Sequence, residues 1–197
     1  MNGLSIYLLK QDAKSFVKRN LGKIIVYIIV FILCTILAIA NVVSLDSVSD
    51  YFENKTSALF SFIRGEGTLF GLMLITLVEQ ALIVFLIYVA SFTEITTFLH
   101  LPIFAYIAYT DIFKVIIVLG YFGVRGIIFA ILYLSVLIIF LAIFIANSIT
   151  IFNSHLRWKY GIKELKCLVI QTIPMLSVYA IIYLLKIISI SFGCLFI

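Results

Sequence analysis

Charged side chains are scarce in this chain. Asp, Glu, Lys and Arg make up 12% of its 197 residues, where a soluble domain carries roughly 25%. Hydrophobic residues reach 64% and mean hydropathy is +1.27, so the polar surface needed to wrap a water-soluble globule is missing. Histidine is nearly absent, with only His100 and His155, which leaves little from which to build a metal centre or a Ser-His-Asp set. No phosphate-binding glycine loop and no His-Glu-x-x-His occurs. Cysteine is confined to Cys34, Cys167 and Cys194. An odd number at wide spacing makes neither a disulfide framework nor a metal site, and the three read as small apolar packers. The chain is therefore expected to be an all-α integral membrane protein, with no catalytic residue, no cofactor and no metal. Its net charge of +5 marks the cytoplasmic side of a membrane rather than a nucleic-acid partner.

What is present is a series of apolar runs, each near the 20 or so residues that a crossing helix needs. Five are expected to span: Ile24–Leu45, Leu69–Ser91, Phe98–Leu119, Ile127–Thr150 and Cys167–Phe196. Together they read as one membrane domain covering 1–197, with the cell membrane as its location. Before the first span, Met1–Lys23 holds five basic residues against Asp12. It reads either as a short amphipathic helix on the inner surface or as a basic tail that only sets orientation. Ala38-Ile39-Ala40 has the pattern of a signal-peptide cleavage site, but the apolar run continues past it, and an uncleaved anchor is expected.

Asp46–Thr68 is the longest loop. Ser47-x-x-Asp50 is a helix-start signal, and Val48, Tyr51, Phe52, Leu59, Phe62 and Ile63 fall on one helical face. This predicts an amphipathic helix lying on the outer surface. Asn54-Lys55-Thr56 fits a glycosylation acceptor by pattern alone. Gly120–Gly126 reads as a tight outer turn, Pro102 as a helix start, and Pro174 as a kink in the last span. Trp158 and Tyr160 stand in the basic stretch Ile151–Lys166 as interfacial anchors.

The third run, Phe98–Leu119, could cross or dip and return. Crossing places nine basic residues inside and three outside, namely Lys55, Arg64 and Arg125; a re-entrant dip gives six on each side. The positive-inside rule favours crossing, so five helices are expected, with the amino terminus inside and the carboxyl terminus outside.

Four ionisable residues fall inside the spans: Glu79, Asp111, Lys114 and Lys186. Each costs roughly 2.5–3.5 kcal/mol at a helix centre, so none is expected to face lipid unpaired. Asp111 and Lys114 are three apart and share a helical face. His100 lies about three turns earlier on that face, near the inner interface, and is expected to be solvated there. The four charges read as a neutral cluster between spans two, three and five. Two roles stay open for it: a polar path for an ion or small solute, or internal pairing that fixes helix register.

The layout resembles the stage II sporulation protein M family of bacterial membrane proteins. The residues that carry the likeness are basic Lys18-Arg19 before span one, the outer loop around Tyr51–Arg64 and Leu101-Pro102-Ile103 opening span three. A glycine turn from Gly120 to Gly126 and basic Arg157–Lys166 before the last span complete it. At the entrance to span four the chain reads Val124-Arg125-Gly126-Ile127, where many members of that family carry a His-Gly…Glu-Pro element. The resemblance implies a scaffold without chemistry of its own, which recruits cell-wall hydrolases to a membrane during engulfment. Its partners would be other membrane or extracytoplasmic proteins besides the lipid bilayer. The candidate partner surface is Tyr51, Phe52, Phe62, Arg64, Tyr121 and Arg125. The competing expectation is a small permease, or an accessory subunit of a transport complex, using the intramembrane charges. A small intramembrane enzyme is the weakest fit, because the spans hold so few polar residues.

Overall fold

The computed structural model describes residues 3–45, 47–54, 58–91, 98–157 and 163–196, with side chains for 14–45, 47–52, 59–91, 98–153 and 177–196. Among them every regular element is helical. The order is α1 (Gly3–Val43), α2 (Val48–Asn54), α3 (Ala58–Ile63), α4 (Leu69–Ala90), α5 (His100–Phe122), a 3-10 turn at Gly123–Arg125, α6 (Gly126–Arg157), α7 (Lys163–Gly193) and a last 3-10 turn at Cys194–Phe196. Four helical stretches are long and apolar enough to cross a membrane: Lys14–Val43, Leu69–Ala90, His100–Asn153 and Ser177–Phe196.

The third of these stretches is a hairpin. Its two arms, α5 and α6, meet at Gly123, whose φ of 56° is a backbone region that favours glycine. From that turn the contacts step outward in register. Asp111 meets Tyr133, Phe104 lies 5.8 Å from Phe144, and Phe98 lies 6.1 Å from Phe152. Such a ladder is the mark of two antiparallel helices. At 23 residues, α5 is about 35 Å long, enough to pass a hydrocarbon core of about 30 Å.

The same ladders fix the other directions. Met73 and Tyr183 join α4 to α7, and Glu79 and Lys114 join α4 to α5, while Ser91 and His100 close the far end of that second pair. Phe140 meets Tyr179 and Lys186 meets Tyr133, so α6 and α7 are antiparallel. Tyr27 meets Phe104 and Asn41 meets Tyr109, so α1 runs with α5. Helices α1, α5 and α7 therefore run one way, and α4 and α6 the other. One end of the bundle gathers Lys23, Phe98, Leu101 and Phe152. The other gathers Phe52, Leu72, Val118 and Phe129.

The basic leader is helical, but no loop separates it from the first span. A single residue breaks α1: Asn20 has φ −114° and ψ 17°. Its side-chain amide donates to the Phe16 carbonyl one turn earlier at 3.0 Å. Ser47 caps α2 as its position implies, accepting from the Asp50 N–H at 3.1 Å. The loop that follows differs from the expected surface helix. It forms two short helices, and Phe52, Leu59 and Phe60 are buried in the end of the bundle. Apolar residues on a helix can face lipid or protein, and here they plug the protein. Asn54-Lys55-Thr56, Trp158 and Tyr160 lie outside the residues whose side chains are described. So does the side chain of Pro174, although α7 is helical through that position.

Two packed cores stack along the bundle. One holds Tyr27, Phe104, Ile107, Phe140, Phe144 and Tyr179. The other holds Phe52, Leu72, Val118, Phe129, Tyr133 and Ile187. The outward faces are equally apolar, with Ile29, Leu33 and Ile36 on α1 and Leu74, Val78 and Phe85 on α4 exposed. In water that surface would aggregate; against lipid it needs no cover.

Helices α6 and α7 approach closely at Gly193, where an added Cβ would stand 2.8 Å from Phe129 Cδ2 and 3.2 Å from its Cα. Gly22 has nothing within 4 Å of the same position. Gly193→Ala is expected to destabilise the protein by about 1–3 kcal/mol through overpacking. Gly22→Ala is expected to be neutral, or stabilising by up to about 1 kcal/mol. Thermal unfolding in detergent measures both.

Candidate functional site

The four intramembrane charges meet at the seam between the two cores. Helix α5 supplies Asp111 and Lys114, one turn apart. Antiparallel α4 brings Glu79 beside them, and α7 brings Lys186 across. Lys186 Nζ donates to both carboxylate oxygens of Asp111, at 3.0 and 2.9 Å. Tyr133 Oη on α6 donates to Oδ1 at 2.8 Å. Lys114 Nζ lies 3.9 Å from Asp111 Oδ1 and 3.6 Å from Glu79 Oε2. Lys186 Nζ also stands 5.3 Å from the centre of the Tyr133 ring, within cation–π range.

The members are not equally protected. The Asp111 side chain is 6% exposed and that of Glu79 53%. Asp111 is deep, doubly paired and hydrogen-bonded on both oxygens. A buried carboxylate is stable only when its charge and its lone pairs are both satisfied, and here they are. Glu79 sits ten residues into the 22-residue α4, near mid-length. It makes no hydrogen bond among the described residues; Lys114 is its one ion-pair partner there. One turn before Lys186, Tyr183 Oη donates to the Met73 carbonyl at 2.7 Å and holds α4 against α7 beside the charges.

The structure thus brings together Glu79, Asp111, Lys114 and Lys186, and adds Tyr133, which the sequence reading missed. Hairpin counting would have found it. A turn near Gly123 sets Asp111 opposite a residue at about position 133, and a tyrosine in a charge-free span has a hydroxyl to satisfy. His100 is a correction. It is 1% exposed, with Ser91 Oγ at 3.3 Å from Nε2 and the Phe144 ring edge-on at 6.0 Å. Tight packing of α5 against α4 and α6 removes it from solvent. It lies about 16 Å along α5 from Asp111 and does not join the charges. Among the described residues no three His, Cys, Asp or Glu side chains gather as a metal site would require.

The six residues of the candidate partner surface separate. Phe52 is 0% exposed, stacked on Tyr121 with ring centres 4.3 Å apart and edge-on to Phe122. It is part of the core, which corrects its place on a docking surface. Tyr51 is half-buried against Phe113 at 5.6 Å. Phe62 and Tyr121 are half-buried. The Arg64 guanidinium donates to the Phe52 carbonyl and to Glu66, the latter at 2.8 Å, so it locks the plug. Arg125 is exposed in the turn between α5 and α6 and is the most open of the six.

Lys186→Met leaves Asp111 buried without its main counter-charge and is expected to cost about 3–5 kcal/mol. Adding Asp111→Asn, with Gln in place of Met at position 186, is expected to recover most of that loss, because Tyr133 still finds an acceptor. Glu79→Gln is expected to change stability by about 1 kcal/mol or less. Unfolding of the purified variants in mixed detergent checks this order.

No family model, no curated protein and no solved structure matches this chain.

Proposed function

We propose that the protein is a non-enzymatic membrane scaffold with five crossing helices, amino terminus inside and carboxyl terminus outside, that positions partner proteins from its outer end. The observation that carries the reading is the saturation of Asp111. A transport site needs a charge with a vacant position for its cargo, whereas both oxygens of this carboxylate are taken by Lys186 and Tyr133. The charges act on one another and hold α5, α6 and α7 in register. The alternating helix directions, and the grouping of the basic leader away from the outer turn, support five crossings. Recruitment of cell-wall hydrolases during sporulation rests on the layout resemblance alone. The outer turn at Gly123–Arg125 and the exposed side of the plug are the surfaces left for a partner.

The transport reading has one observation in its favour, the half-exposed Glu79 at mid-helix. Two measurements separate the readings. Proteoliposomes of the wild-type chain are expected to show no proton or monovalent-cation flux above protein-free vesicles. A flux that disappears in stable Asp111→Asn/Lys186→Gln protein would replace the scaffold reading with the transport one. A photocrosslinker placed at Arg125 is expected to trap a neighbouring protein in the native membrane, while one at Phe52 traps none.

Topology is tested separately. Single cysteines at Ser49 and Arg125, in a chain freed of its own cysteines, are expected to react with a membrane-impermeant maleimide from the outside. One at Lys18 should react only after the membrane is opened. Protection of position 125 alone would mean that the third run dips and returns.

A further inference from the structure

A cavity of about 190 Å³ opens between α1 and the free ends of the α5–α6 hairpin. Its walls come from three places in the chain: Val26 and Tyr27 on α1, Phe98 and Leu101 at the start of α5, and Ile149 and Phe152 late in α6. It is far larger than the share of liquid volume of one water, about 30 Å³, and its lining is almost wholly apolar. Among the described residues one cation enters it, Lys23.

Lys23 is held in place by a relay of amides. Its ammonium donates to Asn153 Oδ1 and stands 4.2 Å from the centre of the Phe152 ring. The Asn153 amide donates in turn to Asn20 Oδ1 at 3.0 Å, and the Asn20 amide to the Phe16 carbonyl at 3.0 Å. Asn20 is the residue that breaks α1. The break and the relay therefore fix the ammonium beside the cavity. A lysine has three N–H donors. Asn153 takes one and the Phe152 face another, which among the described residues leaves a donor for a negatively charged ligand. Arg19, exposed one turn earlier, adds a second cation near the same level.

We propose that this cavity binds an anionic phospholipid, with Lys23 taking the phosphate and the wall of Val26, Phe98 and Phe152 holding the first part of an acyl chain. The occupant must be apolar over most of its length and negative at one end, and it must lie parallel to the helices with its charge at the bundle end. A lipid at the edge of a bilayer meets all of these conditions, and the cytoplasmic leaflet supplies the anionic ones. Assignment to that leaflet rests on the proposed topology; the binding itself does not.

Native mass spectrometry of the full chain in detergent tests the proposal, with phosphatidylglycerol, phosphatidylcholine and inorganic phosphate as probes. Wild-type protein is expected to retain phosphatidylglycerol over phosphatidylcholine, and millimolar inorganic phosphate should not displace it. Lys23→Gln is expected to lower the affinity for phosphatidylglycerol about fivefold and that for phosphatidylcholine by less, because its choline offsets the phosphate charge. Lys23→Arg should keep the preference, and Val26→Trp, which fills the cavity, should remove the bound lipid of either kind. Lys14→Gln, at an exposed position before the break, should change nothing. Equal retention of the two lipids by the wild-type chain overturns the proposal without need of any variant. So does displacement by inorganic phosphate, which would mean a bare anion site. Because lipid preference in detergent does not depend on the number of crossings, its failure is distinct from a failure of the cysteine labelling.

Discussion

The Asp111–Lys186 pair is the interaction on which the bundle depends. Inside a bilayer no hydrophobic drive brings helices together, because lipid tails are as apolar as leucine. Packing and polar contacts must choose the arrangement. Most helix faces here are Ile, Leu, Val and Phe on every side, and such faces would pack nearly as well after a rotation or a one-turn slide. A carboxylate that must meet an ammonium and a phenol at once removes that freedom. Sliding α7 by one turn would move Lys186 about 5 Å from Asp111 and leave both charges in a medium that penalises them heavily. The pair sits at the seam of the two cores, where it constrains both.

Polar groups recur at three depths, each with a different task. At the basic end, Asn20, Asn153 and Lys23 form a relay across α1 and α6. At the middle, the charges tie α4, α5, α6 and α7. At the opposite end, Arg64 reaches back to the Phe52 carbonyl and pins the aromatic plug. Between these layers the contacts are apolar and carry little directional information. The arrangement therefore separates adhesion, supplied by area, from alignment, supplied by a few hydrogen bonds.

Four long apolar helical stretches were legible in the sequence because bilayer thickness imposes a length on such runs, and α4 begins at Leu69, where its apolar run begins. The meeting of Glu79, Asp111, Lys114 and Lys186 was legible for a related reason: charges at similar depth on neighbouring helices have few places to go. Tyr133 was not, since a tyrosine carries no formal charge to flag it. Phe52 was misplaced because periodicity shows that a helix has an apolar face but not whether lipid or protein lies against it. His100 was misplaced because depth along a helix says nothing of rotation about it. The break in α1 left no local sign either; asparagine is only mildly unfavourable in a helix, and its partner lies 133 residues away.

The position of Lys186 also has a meaning in time. It follows Asp111 by 75 residues, and at elongation rates of about 5–20 residues per second the interval is roughly 4–15 s. Tyr133 follows Asp111 by only 22 residues, so for most of that interval Tyr133 and Lys114 are the described partners already made for Asp111. Helix α7, made after α4, α5 and α6, delivers the charge that completes the site. Helix α7 thus serves as the closing bolt of the charge site, and a chain cut short before it would leave the buried acid without its main counter-charge, as a mark of incomplete synthesis.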